Sequence, residues 1–491
     1  MAHELEFFID GRWIPAGSSA RIAVIDPSTG EEIATIADGD AGDVDRAVLA
    51  ARRAFDTYRS STVEERMGLL RGIRDGISRR REELALVITR EMGSPIKHSR
   101  GFQIEACLIQ IDVLLKVLEQ HKPVGHEGRA LVRKEPIGVC GLITPWNGPA
   151  QQIVNKAVTC LAAGCTMVVK PSEVTPLSAI ILAEILDEAG VPPGVFNLVQ
   201  GGGASVGAAL AAHPGVDMIS FTGSKRAATA ITIAAADTVK RVVTELGGKS
   251  ANLVLDDAPL ETAIPGAVIS CFINSGQMCI APSRLLVPEA RRDEAVAIAR
   301  ATADRLKLGP PMDPAVDIGP MANAAQFAKV SSYVERGLSE GATLVCGGVG
   351  RPAGLDRGFY SQPTIFADVT PNMTIAREEI FGPVLAIISY SDETEMLRIA
   401  NDSRYGLAGY VQSADPKRAL EVATRLEAGS IQINYVPFEP EAPFGGYKQS
   451  GNGREWGRYG FEEFLETKSI VGWGAASGAE DGGGISLVDA V

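Results

Sequence analysis

Three short stretches of the chain hold residue types that could do chemistry. Cys279 ends the stretch Asn-Ser-Gly-Gln-Met-Cys, and a cysteine thiolate is a strong nucleophile. Glu245 stands directly before Leu-Gly-Gly-Lys and offers a carboxylate beside a glycine turn. The stretch Gly201-x-Gly203-x-x-x-Gly207 is one residue off the usual spacing of a dinucleotide-binding loop. Taken alone, each has an ordinary structural explanation: a buried cysteine, a strand end and a plain turn.

The elements that must position these residues alternate between strand and helix from residue 137 onward. Strands are predicted at 139–143, 167–170, 196–199, 218–221 and 242–246, and helices at 151–163, 177–189, 204–212 and 226–235. This alternation is typical of βαβ units, so a parallel sheet with helices on both faces is expected. The segments 144–147, 170–173, 201–203 and 222–224 all follow strand ends. Ligands bind at that edge of such sheets.

The residues before this region and after it also show regular patterns. Short strands are predicted at 6–9 and 22–25, with helices at 43–58, after Thr62, and at 102–118. Thr62 and Glu65 form a capping-box pattern at the start of the second of these helices. A second alternating stretch runs from 251 to about 444 and is long enough for another α/β domain.

Seven motifs occur together in a fixed order, and together they are far more specific than any one of them. They are Thr144-Pro-Trp-Asn147, Lys170-Pro-Ser-Glu173, Phe221-Thr-Gly-Ser224, Glu245-Leu-Gly-Gly-Lys-Ser250, Gly276-Gln-Met-Cys279, Glu378-Glu-Ile-Phe-Gly-Pro383 and Pro443-Phe-Gly-Gly-Tyr-Lys448. In this order and spacing the chain resembles the aldehyde dehydrogenase superfamily, from about residue 7 to residue 473. The resemblance implies an NAD(P)-dependent enzyme that oxidises an aldehyde to a carboxylic acid.

The resemblance assigns catalytic roles to three residues. Cys279 matches the nucleophile, which adds to the aldehyde so that the tetrahedral adduct can give up hydride and leave a thioester. Asn147 matches the side-chain amide that, with the backbone N–H of Cys279, stabilises the oxyanion. Glu245 matches the base that activates water to hydrolyse the thioester, a role that requires a raised pKa.

The same resemblance implies a cofactor site. Lys170 and Glu173 match residues that hold the adenosine ribose, while Glu379, with Phe381 against it, matches the carboxylate at the nicotinamide ribose. The remaining expected cofactor contacts are Ile143, Thr144, Trp146, Ser172, Gly203, Phe221, Ser224 and Leu246. A carboxylate at Glu173 would repel a 2′-phosphate, so NAD is expected, with NADP as the alternative. Ala228 stands where the family often has glycine, which predicts a slight difference in helix packing but no loss of binding.

The substrate channel is expected to be lined by residues from four parts of the chain. They are Gly148, Gln151, Gln152, Asn155, Ile273, Met278, Phe438 and Phe444. The stretch that follows Asn147 is small and polar and holds no arginine or lysine to bind a carboxylate. A medium-sized aldehyde, aromatic or oxygenated, is therefore expected to be preferred over acetaldehyde, although Gln151 and Gln152 could instead face solvent or a neighbouring subunit.

The predicted fold class is α/β, with two doubly wound parallel-sheet domains and a small β oligomerisation arm. The expected cofactor-binding domain covers residues 1–118 and 137–247, and the catalytic domain covers 248–447. Residues 119–136 and 462–475 are expected to form the arm, and a homodimer or homotetramer follows because exposed strand edges need covering. Residues 476–491 are expected to form a C-terminal tail that a neighbouring subunit anchors or that has no role.

Composition excludes several other classes of protein. A net charge of −13 argues against a nucleic-acid or anionic-membrane partner. The seven cysteines form no CxxC pair and no cysteine–histidine spacing of a metal site, so neither a disulfide framework nor a metal is expected. The N-terminus lacks the pattern of a signal peptide, and no apolar run approaches the length of a membrane span, so a cytoplasmic location is expected.

Three rival functions remain as alternatives. A coenzyme-A-acylating dehydrogenase would share the fold, but that class generally lacks a carboxylate at the position of Glu245. A cysteine hydrolase would use Cys279 and would leave the cofactor motifs unexplained. A catalytically silent relative is disfavoured by the presence of Cys279, Glu245 and Asn147 together.

Overall fold

The structure is a computed structural model that describes residues 2–472. The expected tail, residues 476–491, and the end of the expected arm, residues 473–475, lie outside the described residues. The strands are β1 (Glu6–Ile9), β2 (Arg12–Pro15), β3 (Arg21–Asp26), β4 (Glu31–Ala37), β5 (Val124–Glu127), β6 (Ala130–Pro136), β7 (Val139–Ile143), β8 (Thr166–Lys170), β9 (Phe196–Leu198), β10 (Met218–Gly223), β11 (Arg241–Leu246), β12 (Ala251–Val254), β13 (Arg284–Pro288), β14 (Thr343–Cys346), β15 (Thr364–Ala367), β16 (Val384–Tyr390), β17 (Tyr405–Gly406), β18 (Ala408–Gln412), β19 (Ser430–Ile433), β20 (Tyr447–Lys448), β21 (Gly451–Asn452) and β22 (Leu465–Val471).

Helices alternate with these strands through most of the chain. They are α1 (Ala41–Tyr58), α2 (Val63–Arg79), α3 (Arg81–Met92), α4 (Ile96–His98), α5 (Ile104–Gln120), α6 (Pro149–Ala163), α7 (Leu177–Glu188), α8 (Ala208–Ala212), α9 (Lys225–Ala235), α10 (Leu260–Phe272), α11 (Arg292–Ala303), α12 (Ala324–Ser339), α13 (Thr374–Arg377), α14 (Glu393–Asn401), α15 (Pro416–Ala423) and α16 (Gly457–Glu463). Single π-helical turns cover Ser99–Gln103 and Gly203–Gly207, and 3-10 turns cover Ala236–Thr238, Ile273–Gly276 and Glu289–Arg291.

The first large sheet has the strand order β2-β1-β9-β8-β7-β10-β11-β21. Strands β9, β8, β7, β10 and β11 are parallel, and the antiparallel strands β1 and β21 pair with β9 and β11. One face is covered by α2, α3, α5, α6 and α7 and the other by α1, α8 and α9, so apolar strands are buried on both faces. This is the doubly wound sheet that the strand–helix alternation predicts.

Some helices in this region depart from the expected limits. Thr62 caps α2 with the predicted capping box, but the helical stretch is interrupted at Arg80 and α3 follows, a helix that the sequence pattern did not predict. The helix expected at 102–118 begins at Ile104, after the π turn, and the one expected at 204–212 also opens with a π turn. π turns shift the side-chain phase by one residue, which a periodic apolar pattern does not reveal.

The second large sheet has the order β14-β15-β16-β13-β12-β18-β19, in which all strands but β14 run parallel. Its two faces carry separate apolar cores. Strand β21, residues 451–452, lies outside the expected cofactor segments yet pairs with β11 beside Glu245. The chain therefore returns to the first sheet after completing the second, and the predicted domain limits remain a prediction.

A separate three-stranded antiparallel sheet has the order β22-β6-β5 and falls in the segments expected to form the arm. Strand β22 pairs with β6 along its whole length, from Leu465 with Pro136 to Val471 with Ala130. After Leu465 every side chain of β22 is exposed. Within residues 2–472, no helix is long and apolar enough to cross a membrane.

Candidate active site

The expected cofactor residues begin at one edge of the first sheet. In the register of the parallel strands, Ile143 at the end of β7 lies between Lys170 at the end of β8 and Phe221 of β10. Leu246 at the end of β11 pairs with Gly223 of β10. The motifs that follow these strands consequently emerge side by side at the carboxyl edge, where doubly wound sheets bind ligands.

At one end of this edge, a lysine and a carboxylate form a pair. The Nζ atom of Lys170 lies 3.0 Å from an oxygen of Glu173 and donates to the carbonyl of Pro171 at 2.8 Å. The Lys170 side chain is buried, while that of Glu173 is partly exposed. Ser172 between them is buried and accepts a hydrogen bond from the N–H of Val174 at 3.3 Å.

A helix N-terminus follows β10 at this edge, and a glycine turn follows β9. Ser224 is the N-cap of α9, and its hydroxyl accepts from the N–H of Ala227 at 3.3 Å. The hydroxyl of Thr222, two residues earlier, is buried without a hydrogen-bond partner among the described residues. Gly203 opens the π turn after β9 and has open space where a Cβ would lie. A helix N-terminus and unpaired donors are suited to a phosphate.

At the other end, two aromatic rings and a carboxylate enclose a smaller space. The rings of Trp146 and Phe381 meet edge to face with centroids 5.3 Å apart. Glu379 accepts a hydrogen bond from the N–H of Gly248 at 3.1 Å. A Cβ on Gly247 would lie 2.1 Å from Glu379, so only glycine lets the carboxylate occupy this position.

The segment before Cys279 has an unusual backbone conformation. Asn274, Ser275 and Gly276 have φ values of 53°, 59° and 72°, the left-handed region that costs energy for residues other than glycine. Ser275 Oγ donates to the carbonyl of Gly319 at 2.9 Å, and a Cβ on Gly276 would lie 2.2 Å from the carbonyl oxygen of Gly382. Tertiary contacts therefore hold the turn that presents Cys279.

Asn147 is tied to the same turn. Its side-chain amide donates to the carbonyl of Gln277 at 3.0 Å, and its own carbonyl accepts from Asn274 Nδ2 at 3.1 Å. One amide proton of Asn147 is used in this contact and the second remains for a ligand. The backbone N–H of Cys279 lies against its own sulfur atom. The two groups thus flank the thiol from different parts of the chain.

Two cavities meet at Cys279. A cavity of about 440 Å³ lies on one side, and a cavity of about 180 Å³ lies on the cofactor side. Cys279, Asn147 and Gln152 line both. A thiol in this position can contact a molecule in each cavity at once.

Burial determines the protonation state of Cys279. Cys279 is only partly exposed to solvent, and its burial raises the pKa of the thiol to about 12, with Glu379, Glu245 and Glu455 contributing in the same direction. The thiol is therefore protonated near neutral pH in this structure, and it must transfer its proton to a base before it can act as a nucleophile.

Glu245 lines the smaller cavity and is 3% exposed. Neither carboxylate oxygen has a hydrogen-bond partner among the described residues. Burial raises the pKa of its carboxyl group well above the usual range, the charge of Glu455 raises it further, and Lys156 and Arg454 oppose these effects. A raised pKa makes a carboxylate a stronger proton acceptor.

Glu455 is held by a buried pair on α6. It forms an ion pair with Lys156, and it accepts a hydrogen bond from Asn155 Nδ2 at 2.6 Å. Lys156 also donates to the hydroxyl of Ser220 at 3.1 Å. Glu455 itself lines the larger cavity, so this network connects the surroundings of Glu245 with that cavity.

The expected channel residues divide into two groups. Seven of the eight line the larger cavity: Gly148, Gln151, Gln152, Ile273, Met278, Phe438 and Phe444. Asn155 does not line it, because its amide points to Glu455 and is buried. Gln151 and Gln152 line this cavity and are partly exposed in the single chain.

Several lining residues were not found by sequence reasoning. The π turn before α5 and that helix contribute Phe102, Gln103, Ala106, Ile109 and Gln110, whose spacing of three and four residues marks one helical face. Other missed members of the two cavities are Ile269, Ser270, Ile280, Tyr410, Gln432, Pro437, Pro440, Glu455, Trp456, Pro145, Thr222, Gly223, Gly247, Gln326 and Lys329. Amides on an otherwise apolar helix were a usable signal for the first set, whereas no local pattern marks Glu455.

Known proteins share this architecture. The aldehyde dehydrogenase family profile matches residues 13–470. A 3-succinoylsemialdehyde-pyridine dehydrogenase from a Pseudomonas species is 50% identical over 95% of this chain and 98% of its own length. Aldehyde dehydrogenase C of Pseudomonas syringae, solved as a cysteine-to-alanine variant with NAD+ and octanal, is 49% identical, with a TM-score of 0.95 over 96% of this chain and 98% of its own. A Mycobacterium tuberculosis aldehyde dehydrogenase solved with NAD+ is 41% identical, with a TM-score of 0.93 over 95% of this chain and 98% of its own.

The chain thus combines a doubly wound α/β fold, whose carboxyl edge suits a nucleotide, with a cysteine between two cavities. The chain belongs to the aldehyde dehydrogenase family. The resemblance, the fold class and the class of enzyme expected from the sequence are thereby confirmed, and the NAD+ complexes among the solved relatives confirm NAD as the cofactor expected for this class.

Proposed function

We propose that this chain oxidises an aldehyde to a carboxylic acid with NAD, through a thioester on Cys279 that water hydrolyses. The observation that carries the proposal is the position of Cys279, which lines both the larger cavity and the smaller cavity on the cofactor side. A substrate carbonyl beside this sulfur would lie within reach of the residues that line the larger cavity and of those that line the smaller cavity.

The first step is addition of the Cys279 sulfur to the aldehyde carbon. Its thiol proton leaves to solvent water, because the Cys279 side chain is only partly buried. Glu379 is already hydrogen-bonded to the N–H of Gly248, whereas both oxygens of Glu245 lack partners among the described residues and remain available for the water molecule of the second step. The free amide proton of Asn147 and the backbone N–H of Cys279 would stabilise the oxyanion that forms.

The residues at the sheet edge fit a dinucleotide. The Lys170–Glu173 pair has the donors and acceptor that ribose hydroxyls need, and the N-terminus of α9 at Ser224 suits the pyrophosphate. Glu379 and the Trp146–Phe381 wall would hold the nicotinamide end. Bound NAD would supply the two-electron acceptor for the hydride. Because the carboxylate of Glu173 is partly exposed, it would repel a 2′-phosphate, and we propose a preference for NAD over NADP.

The second step is hydrolysis of the Cys279 thioester. Glu245 would take a proton from a water molecule whose oxygen adds to the thioester carbon, and the Cys279 sulfur would then leave and regain a proton. The raised pKa of Glu245 strengthens it as the base in this step. The Lys156–Glu455 pair lies close enough to influence this carboxyl group electrostatically, with Glu455 raising its pKa and Lys156 lowering it. A carboxylate at Glu245 also distinguishes this reaction from transfer of the acyl group to coenzyme A.

The larger cavity favours an aldehyde with a sizeable uncharged body. Aromatic and aliphatic side chains dominate its lining, and the polar groups are chiefly the amides of Gln103, Gln110, Gln151, Gln152 and Gln432. No lysine or arginine of the described residues lines it. A volume of about 440 Å³ far exceeds the need of a two-carbon aldehyde, so we propose a medium-sized substrate, aromatic or oxygenated, over acetaldehyde. This size is consistent with two relatives: one was solved with octanal, and the other is named as a dehydrogenase of a pyridine semialdehyde.

We also propose that the sheet of β5, β6 and β22 joins subunits of a homodimer or homotetramer. Its side chains are largely exposed in the single chain, and Val471 is 77% exposed. Two unprotected edge strands on such a sheet are typical of an association surface.

Unequal behaviour of two variants tests the mechanism. We expect Cys279→Ala to form no NADH, since no covalent adduct can form. We expect Glu245→Gln to give a burst of about one NADH per site and then stall, because only deacylation has lost its base. The measurement is rapid-mixing absorbance of NADH across a panel of aldehydes, with and without coenzyme A. Steady turnover of Glu245→Gln at the wild-type rate, or turnover that requires coenzyme A, would refute the hydrolytic mechanism.

A further inference from the structure

Three cysteines that the sequence separates meet in the core of the first sheet. Cys140 lies in β7, Cys160 in the last turn of α6, and Cys165 directly before β8. Their sulfur atoms all lie within 4.8 Å of one another, and all three side chains are fully buried. We refer to Cys140, Cys160 and Cys165 as the trithiol cluster. None of them takes part in the chemistry proposed above.

Secondary structure fixes the positions of these thiols. In the register of the sheet, Cys140 pairs with Met167, two residues after Cys165. Helix α6 ends at Gly164, whose φ of 83° turns the chain back toward the sheet, and the N–H of Cys165 bonds to the carbonyl of Cys160 at 3.1 Å. The cluster is therefore preorganised by one βαβ unit and needs no ordering of a loop.

The thiols have only weak partners in this core. Cys165 Sγ lies 3.3 Å from the carbonyl oxygen of Phe464, and Cys160 Sγ lies 3.6 Å from that of Thr166. Thiols are poor hydrogen-bond donors, so little free energy would be lost if metal–sulfur bonds replaced these contacts. Among the described residues, no histidine or carboxylate joins the cluster, which makes the donor set entirely sulfur.

We propose that the trithiol cluster binds one thiophilic cation of the Cu(I) type. Sulfur-only donors select soft cations. Zinc in structural sites almost always takes four ligands, and iron–sulfur clusters also need four, so three sulfur atoms fit Cu(I) better. A metal–sulfur bond of about 2.3 Å in a trigonal arrangement puts the sulfur atoms about 4.0 Å apart. The observed spread of at most 4.8 Å needs only a small contraction.

Charge and proton balance are also compatible with a bound cation. Each thiol that binds as a thiolate releases one proton to the solvent, and copper remains Cu(I), so no oxidant or reductant is required. Arg66, which donates to the carbonyl of Ala162 at 2.9 Å, interacts electrostatically with Cys165 and would partly offset negative charge on the cluster. The ion would join the end of α6 to β7 and β8.

Metal retention by the full-length chain tests the proposal. All proteins carry Cys279→Ala, so the candidate nucleophile cannot bind the ion and failure of the proposed function does not affect the result. Protein expressed in copper-supplemented medium, and separately metal-free protein incubated with Cu(I) bicinchoninate, would be gel-filtered and analysed for copper per chain. Cys140→Ala, Cys160→Ala and Cys165→Ala remove one ligand each. Cys107→Ala and Cys271→Ala are matched controls because these thiols are equally buried but lie outside the cluster.

We expect one equivalent of copper in the parent and in both controls, and little in any cluster variant whose circular dichroism matches the parent. Bound copper should also raise the thermal midpoint of the parent by at least about 3 °C and leave that of folded cluster variants unchanged. Absence of copper after both loading routes, or equal retention in a folded cluster variant, would overturn the proposal. Retention of Zn(II) but not Cu(I) would overturn the assignment of the cation.

Discussion

Glu245 is a carboxyl group that the fold holds away from water and beside a second carboxylate. Burial is the largest cause of its raised pKa, and the charge of Glu455 is the next. Glu455→Gln removes the negative charge that raises the pKa of Glu245. The positive charge of Lys156, which lowers that pKa, remains. We therefore expect Glu455→Gln to move the acidic limb of the deacylation rate to lower pH.

The measurement is the pH dependence of steady-state NADH formation. Glu463→Gln is the matched control, because Glu463 also raises the pKa of Glu245 but has a smaller effect on it than Glu455. The shift in this variant should therefore be smaller and in the same direction. An acidic limb that stays in place in Glu455→Gln, or moves to higher pH, would show that Glu455 does not control this carboxyl group.

Single residues differ in how well a sequence can reveal them. Cys279, Glu245 and Asn147 were found because each stands in a short motif with a fixed neighbourhood. Glu455 and Lys156 were not, because their role depends on an ion pair between parts of the chain that no local pattern links. Asn155 was assigned to the channel by position, but its side chain is used by Glu455 instead.

The turn before Cys279 is an element whose shape depends on glycine. Gly276 has a φ of 72°, and a Cβ there would lie 2.2 Å from the carbonyl oxygen of Gly382. We expect Gly276→Ala to displace the turn and to lower kcat/KM by at least about 100-fold, since misplacement by about 1 Å can have that effect. Gly341→Ala is the control, because Gly341 also has a positive φ, of 91°, but has open space around it.

Kinetics and thermal stability should both be measured for this pair of variants. Backbone strain alone should cost Gly341→Ala about 1 kcal/mol of stability and leave kcat/KM unchanged. Equal kinetics of Gly276→Ala and Gly341→Ala would show that the close contact with Gly382 does not position Cys279.

Helix α7 begins against a buried carboxyl group. The N–H groups of Leu177 and Ser178 donate to Glu91 at 2.6 and 3.2 Å. Burial raises the pKa of Glu91 from 4.5 to about 7 despite these bonds. Between these two pH values Glu91 keeps its proton in the folded protein but has lost it in the unfolded chain. The contribution of protonated Glu91 to the free energy of unfolding is therefore complete below pH 4.5 and is lost as the pH rises through 7.

We expect Glu91→Gln to remove this pH dependence, since glutamine does not ionise. A pKa difference of 7 minus 4.5 corresponds to about 3 kcal/mol. The thermal midpoint of the parent should therefore fall more than that of Glu91→Gln between about pH 5 and pH 8. Glu105→Gln, a change at an exposed glutamate of α5, should follow the parent. Parallel curves for the parent and Glu91→Gln would contradict the assignment.

The limits of helices and strands show where the spacing of apolar residues no longer predicts the structure. The limits of the five parallel strands of the first sheet were predicted to within two residues, because buried parallel strands are continuous apolar runs between turn signals, whereas β2 and β21 were not predicted. The break at Arg80 and the π turn over Ser99–Gln103 were missed, because both keep the helical pattern of apolar residues. That π turn carries Phe102 and Gln103 into the larger cavity, so the same error also hid part of the candidate site.

At the scale of the whole molecule, the larger cavity exists only because distant segments converge. Four of these segments contribute lining residues: the π turn with α5, the turn after Asn147, the segment before Cys279 and the residues around Phe438. Sequence motifs identified the segments that carry the candidate catalytic residues, whereas α5 contributes lining residues and has no motif. The trithiol cluster was missed for a similar reason, since Cys140 is brought to Cys160 and Cys165 by the pairing of β7 with β8.

The arm sheet predicts how whole molecules associate. Strand β22 is covered by β6 on one edge, and its side chains from Glu466 to Val471 are exposed in the single chain. Ile470 and Val471 are apolar and are 36% and 77% exposed. We expect the protein to sediment as a dimer or tetramer, and we expect Ile470→Asp with Val471→Asp to shift it toward monomer, because buried unpaired carboxylates oppose association.

Val239→Asp is the matched control for this change. Val239 is 90% exposed and lies outside the arm, and its φ of 54° is one that aspartate tolerates. The control should therefore keep the oligomeric state of the parent, and the arm variant should keep its circular dichroism. The measurement is sedimentation velocity at micromolar concentration. A parent that sediments as a monomer, or an arm variant that associates as well as the parent, would show that this sheet does not join subunits.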